Sequence, residues 1–147
     1  MREDYMRLII EPKSENESFA RATVAAFSSR LNMTLEELSD IQTAVSEAVT
    51  NCIVHGYKEK NGEIEIIVTV KGSLLTIKIN DFGVGISDVQ LARKPFYTTV
   101  SEGERSGMGF TIMEAFMDEV SVISQIDVGT RVTFTKEISQ EENIAIE

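Results

Sequence analysis

The chain has 147 residues, an ordinary apolar share of 42% and a formal net charge of −10. That length suits one domain with one core, and the acidic balance excludes direct binding to nucleic acid through a basic surface. Cys52 is the single cysteine, so no intramolecular disulfide exists, and no apolar run reaches the roughly 20 residues that span a bilayer. The first residues are polar and acidic and make no signal peptide, so the expected setting is the cytoplasm, with no membrane partner.

Taken in order, Met6 to Ile10 reads as a first strand, closed by Pro12. Ser14-Glu-Asn-Glu17 has the spacing of a capping box and predicts a helix to about Leu31, with Ala20, Val24, Phe27 and Leu31 inward. Ser18, Arg21, Ala22, Ala25 and Ser29 fall on its outer face, a shallow surface with one long cation that suits a protein partner. Thr34-Leu-Glu-Glu37 is a second capping box. The helix it opens runs from Leu35 to about His55 and stops at Gly56, with Leu38, Ile41, Val45, Val49 and Cys52 inward. Ile64 to Val70 and Leu74 to Ile79 are β-rich and joined at Lys71-Gly72-Ser73, which predicts a hairpin. Ser87 to Ser106 is long, with at most one short helix near Asp88 to Arg93, the pattern of a lid or binding loop. Gly107 to Met117 reads as a third helix, and Val120 to Ile126 with Thr130 to Ile138 as a second hairpin. Residues 1–138 form a single domain on this reading, and 139–147 an acidic tail that frays. The predicted fold is a two-layer α/β (α+β) sandwich: a mixed, mostly antiparallel sheet with three helices on one face.

Glu47, Asn51 and His55 are spaced by four, so a helix puts them in one stripe. The acid can take a proton and the amide oxygen can hold a hard cation such as magnesium; the same stripe also suits a solvated helix face. Asp81-Phe-Gly83-Val-Gly85 follows a predicted strand. A fixed carboxylate there can accept from an exocyclic amine and so choose a base, and the glycines let backbone approach a flat ring; an ordinary glycine turn is the other reading. Ser106-Gly107-Met108-Gly109 opens a helix, whose unpaired N–H groups suit phosphate. In this long loop, Thr98 and Thr99 can bond phosphate oxygens, Arg105 can stabilise a transferring phosphoryl group, and Glu104 and Arg105 can meet a partner. Gly129-Thr130 is a hairpin turn whose threonine can reach a base from the sheet.

Together, in this order and spacing, Glu47-x3-Asn51, Asp81-x-Gly-x-Gly85, Gly107-x-Gly109 and Gly129-Thr130 resemble the four boxes of the ATPase superfamily that includes gyrase, histidine kinases and MutL. Within it, Ser14 to Arg21, Ser46 to Gly56 and Glu104 to Met113 resemble the small serine-kinase anti-sigma factors of sporulation. The resemblance implies a Bergerat-type ATP-binding fold and a homodimer that binds a sigma factor of RNA polymerase. It also implies ATP-dependent phosphorylation of a serine on an anti-anti-sigma protein. It gives Glu47 the role of general base, Asn51 that of magnesium ligand and Asp81 that of adenine reader. His55, the glycines and the lid threonines then surround ATP or ADP, and Arg21 meets protein partners. Cys52 stands where such relatives usually carry alanine, and Ser87 where many carry proline. The competing expectation is a nucleotide-dependent binding module without phosphotransfer. Glu47 discriminates, because a pure binder has no use for a base at the γ-phosphate. His55 is the only histidine and ends the nucleotide helix, so a phosphoryl group must leave for another protein.

Overall fold

The structure is a computed structural model that describes residues 3–58, 61–94 and 109–139. Five strands form one sheet: β1 (Glu3–Ile10), β2 (Ile64–Lys71), β3 (Leu74–Asp81), β4 (Glu119–Gln125) and β5 (Gly129–Glu137). Their spatial order is β1-β2-β3-β5-β4, and all four pairings are antiparallel. The sheet is therefore uniform where a mixed one was expected: neighbours in sequence join by tight hairpins, and β1 meets β2 after the chain has crossed two helices and returned.

Alternation along the strands separates two faces. On one, Ile66 and Val68 of β2 stand level with Ile79 and Ile77 of β3, and Ile77 with Phe134 of β5; these and Ile64 are fully buried. That face carries α1 (Ser14–Ser28), α2 (Leu35–Asn51) and α4 (Gly109–Phe116), with α3 (Val89–Ala92) a single turn at the margin. Ala20 and Val24 of α1 and Ile41, Val45 and Val49 of α2 complete the core. Each such valine or isoleucine side chain contributes about 1.5–3 kcal/mol over exposure. The other face is mixed, with Tyr5, Ile9 and Ile123 exposed among polar residues. Arg7 pairs with Glu65 at 2.5 Å, Asn80 Nδ2 donates to Glu65 at 2.9 Å, and Arg131 Nε donates to Asn80 Oδ1 at 2.8 Å, a chain across four strands.

The two capping boxes behave differently. Thr34 Oγ1 accepts from the Glu37 N–H at 3.0 Å and the Thr34 N–H donates to Glu37 Oε1 at 2.9 Å, so that box closes. At α1 the extended residue before the helix is Lys13, with no side-chain cap, and Ser14 is already inside the first turn. Glu17 is drawn away to Ser46 and Arg21 of its surroundings instead. α2 also ends earlier than its pattern suggests. Residues Cys52–Gly56 form one turn of π-helix, closed by the Tyr57 N–H on the Cys52 carbonyl at 2.9 Å. Replacing Thr34 with Ala is expected to lower stability by about 1 kcal/mol, whereas Ser14→Ala leaves it within about 0.5 kcal/mol; urea unfolding of the two variants checks both.

Candidate functional site

The carboxylate of Asp81 ends β3 and is only 6% exposed. The Gly83 N–H donates to its Oδ1 at 3.0 Å, and the Cys52 thiol and the Thr130 backbone N–H also donate to it. Burial nevertheless outweighs these donors and raises the Asp81 carboxyl above its ordinary range. The Cys52 thiol is pushed well up by burial and then by the neighbouring carboxylate, so it stays protonated.

Tight approach of several chain segments makes this arrangement possible. A methyl group at Gly56 would lie 2.8 Å from Asp81 Oδ2, and one at Gly129 would lie 2.1 Å from the Asp81 carbonyl oxygen. The glycines of the Asp-x-Gly-x-Gly turn serve the same packing. A methyl at Gly83 would meet the Gly56 carbonyl at 2.1 Å, and one at Gly85 the Gln125 carbonyl at 2.3 Å. Their first demand is therefore chain against chain, which the expectation of ring approach did not include. The Val84 N–H donates to the Gly56 carbonyl at 3.0 Å and the Ile86 N–H to Ser124 Oγ at 2.7 Å, strapping the turn between the end of α2 and β4.

Above Asp81 opens a cavity of about 390 Å³. Asn51, His55 and Thr130 line it, as do Gly85 and Gly109. Its apolar wall is Ala48, Val84, Ile86, Phe110, Ile126 and Val132, with Asp81 buried at its floor and Lys58, Asp88 and Asp127 also on its lining. The buried Thr130 hydroxyl is 2.7 Å from Ser124 Oγ. Glu47 does not line this cavity. It sits beside the first residue of α4: a methyl at Gly109 would be 3.2 Å from Asn51 Nδ2, 3.4 Å from Asn51 Oδ1 and 3.4 Å from Glu47 Oε1. The acid, the amide and the helix start thus converge, with His55 one turn further along.

Thr98, Thr99, Glu104, Arg105, Ser106, Gly107 and Met108 lie outside the described residues. Arg21 is placed differently from the expectation. Rather than standing over small residues, it lies against α2, with Nη1 3.5 Å from Glu17 Oε2 and 3.5 Å from Ser46 Oγ. Ala25 of the supposed outer face is buried, while Phe19 is 54% exposed there. Cys52 was placed only among the inward residues of its helix and Tyr57 was not singled out, yet both serve the site. Tyr57 accepts from the Phe82 N–H at 2.7 Å, and its hydroxyl donates to the Glu63 carbonyl. Tyr57's place directly after the helix stop at Gly56 was the available signal.

Residues 10–136 match the family model of the histidine kinase-like ATPase domain. The anti-sigma F factor of a Thermoanaerobacter species is 52% identical over 136 residues, covering 92% of this chain and 95% of the relative. Those of Geobacillus kaustophilus and Bacillus subtilis are 52% and 51% identical over 136 residues, with 92% of this chain and 93% of each relative covered. The chain belongs to the anti-sigma F factor family of histidine kinase-like ATPase domains. The family's fold recurs in the solved RsbU and RsbW domains of Rv1364c from Mycobacterium tuberculosis, at a TM-score of 0.67 and 18% identity. That match covers 92% of this chain and 32% of the other, so this family member spans about a third of that protein's length. No helix among the described residues is long and apolar enough to cross a membrane.

The raised Asp81 carboxyl has a defined sign in stability. Between the ordinary carboxylate range and the raised folded value, the folded state holds a proton that the unfolded chain has lost. Stability falls as pH rises through that window, and the cost is fully present above it. Asp81→Asn is therefore expected to keep or raise the thermal midpoint at pH 7.5 and to remove that fall. It is also expected to weaken ATP more than tenfold, each tenfold being about 1.4 kcal/mol. Thermal scans against pH, with calorimetric titration of ATP and GTP, check both halves.

Proposed function

We propose that this chain binds ATP or ADP with magnesium, sequesters a sigma factor of RNA polymerase, and phosphorylates a serine of the anti-anti-sigma protein that opposes it. The observation that carries the reading is the convergence of Glu47 and Asn51 on Gly109, at the rim of a cavity floored by the buried Asp81. The cavity's apolar wall suits a flat purine, and Asp81 offers its carboxylate to an exocyclic amine. The start of α4 suits phosphate. Magnesium in phosphate sites is held by one or two protein oxygens together with the phosphates, a demand that the Asn51 amide meets; when bound it neutralises phosphate charge.

The transfer needs positioning more than covalent chemistry. The serine oxygen bonds to the γ-phosphorus as the bond from that phosphorus to the β–γ bridging oxygen breaks. The hydroxyl proton passes to Glu47, and ADP leaves. Sigma binding is supported by the relatives' names as anti-sigma F factors. A homodimer in the cytoplasm, and partner contacts at Arg21, Glu104 and Arg105, complete the reading.

The test is to incubate the protein with γ-labelled ATP and the anti-anti-sigma protein of Bacillus subtilis, whose anti-sigma F factor is 51% identical. One phosphoserine on that protein is expected; absence of label overturns the kinase reading and leaves a binding module. Glu47→Gln is expected to hold ATP at native affinity and to slow transfer by about 10² to 10⁴, measured by single-turnover labelling. Asn51→Ala should lose the magnesium dependence of ATP binding in the same titrations. Arg21→Ala is expected to weaken a sigma or anti-anti-sigma complex by more than about 1 kcal/mol, with ATP affinity unchanged, as read by surface plasmon resonance and calorimetry.

A further inference from the structure

The Ser124 hydroxyl of β4 meets three groups. It accepts from the Ile86 N–H at 2.7 Å, lies 3.1 Å from the Gly129 carbonyl oxygen and lies 2.7 Å from Thr130 Oγ1. A hydroxyl has one proton to give and two lone pairs that receive. A carbonyl oxygen only accepts, so the Ser124 proton goes to Gly129. Ile86 takes one lone pair. The other is left for Thr130, which is therefore the donor of the 2.7 Å contact. No other placement of the protons makes all three contacts hydrogen bonds.

Thr130 has then spent its hydroxyl proton inside the protein. The residue is buried yet lines the cavity, where its oxygen offers lone pairs alone. Its backbone N–H is committed as well, to the Asp81 carboxylate. Asp81 stands directly across from it, as its register partner between β3 and β5. Cross-strand partners have Cβ atoms about 4.5–5.5 Å apart, so two acceptors sit side by side on the cavity floor. Such a pair matches an exocyclic amine, which carries two N–H bonds on one nitrogen. A purine with oxygen in place of that amine brings a third acceptor and leaves the pair unmet. An unmet buried polar group costs more than a made bond returns.

We propose that Ser124 is a specificity-determining residue that acts through Thr130: by taking the Thr130 proton it fixes that hydroxyl as an acceptor, so that Asp81 and Thr130 share the two N–H bonds of a 6-amino purine and turn away 6-oxo purines. This role rests on the reading of Asp81 as the group that meets the base, and supplies the second acceptor. Ser124 is not on the cavity lining; it positions Thr130 and leaves contact with the base to it. Without the Ser124 hydroxyl, the Thr130 proton is free to turn into the cavity and donate to a 6-oxo group.

The test compares calorimetric affinities of the full chain for ATP and for inosine triphosphate, which has an oxo group where ATP has its amine. The native protein is expected to prefer ATP by about a hundredfold or more. Ser124→Ala is expected to narrow that preference about tenfold, weakening ATP while strengthening inosine triphosphate. Ser124→Thr, which keeps a hydroxyl, should hold the native preference. Thr130→Val keeps the shape, removes the second acceptor and should narrow the preference likewise. Ser124→Ala added to Thr130→Val should narrow it no further, because residues that act as a unit are not additive. Loss of the Ile86 contact alone weakens both nucleotides by one factor and leaves the preference native. That result for Ser124→Ala, a native preference in Thr130→Val, or an equal effect of Ser124→Ala in both backgrounds overturns the proposal while Asp81 remains the base reader. If the native protein binds both nucleotides alike, the Asp81 reading falls and this one with it.

Discussion

A carboxylate taken out of water is the constraint around which this molecule is arranged. Burying an ion costs several kcal/mol unless hydrogen bonds replace its hydration. At Asp81 the replacement comes from three places in the chain: the Gly83 N–H, the Cys52 thiol and the Thr130 N–H. The end of α2, the turn after β3 and the start of β5 must meet within a few ångströms. Residues without side chains are needed where they do, at Gly56 and Gly129. The π-turn at Cys52–Gly56 belongs to the same demand. It turns the Gly56 carbonyl toward the Val84 N–H and sets the Tyr57 hydroxyl under Phe82. Such insertions in α-helices recur at functional sites because they redirect backbone groups that a regular turn would consume.

α2 organises the rest. One face is aliphatic and presses on the sheet, which fixes the helix in depth and rotation. Its flanks are then free to face two different cavities, with Asn51 toward the apolar slot and Ser39, Gln42, Thr43 and Ser46 toward α1. Glu47 falls between them. A rigid element with a large buried face holds functional side chains more precisely than a loop does, and here the same helix sets the spacing of acid and amide.

Features carried by local chemistry were legible before the structure. The Thr34 box, the hairpin at Gly72, the aliphatic stripe of α2 and the short helix after Asp88 each depend on neighbours within a few residues. What was misread depends on contacts distant in sequence. Ser14 lost its capping role because Glu17 found Ser46, 29 residues on. The packing duty of the glycines near Asp81 was not foreseen because the Gly56 and Gln125 carbonyls that crowd them come from elsewhere in the chain. Arg21 was set over the small residues of an outer face because helical periodicity alone does not show which neighbour lies alongside α1. That Asn51, His55, Asp81, Gly85, Gly109 and Thr130 gather at one cavity was legible through the motifs; the division of Glu47 and Asn51 between two cavities required the packing of α1, α2 and α4.

Cys52 gives the protein an internal clock. Thiol reagents and oxidants act on the thiolate, and here both burial and the Asp81 charge hold the sulfur in its protonated form. Folded molecules are thus slow to react at that atom. Reactivity returns only when the end of α2 lifts from β3, so modification of this sulfur counts openings of the very segment that encloses the acid. Because Cys52 is the chain's single cysteine, that count carries no background from other sulfurs of its kind.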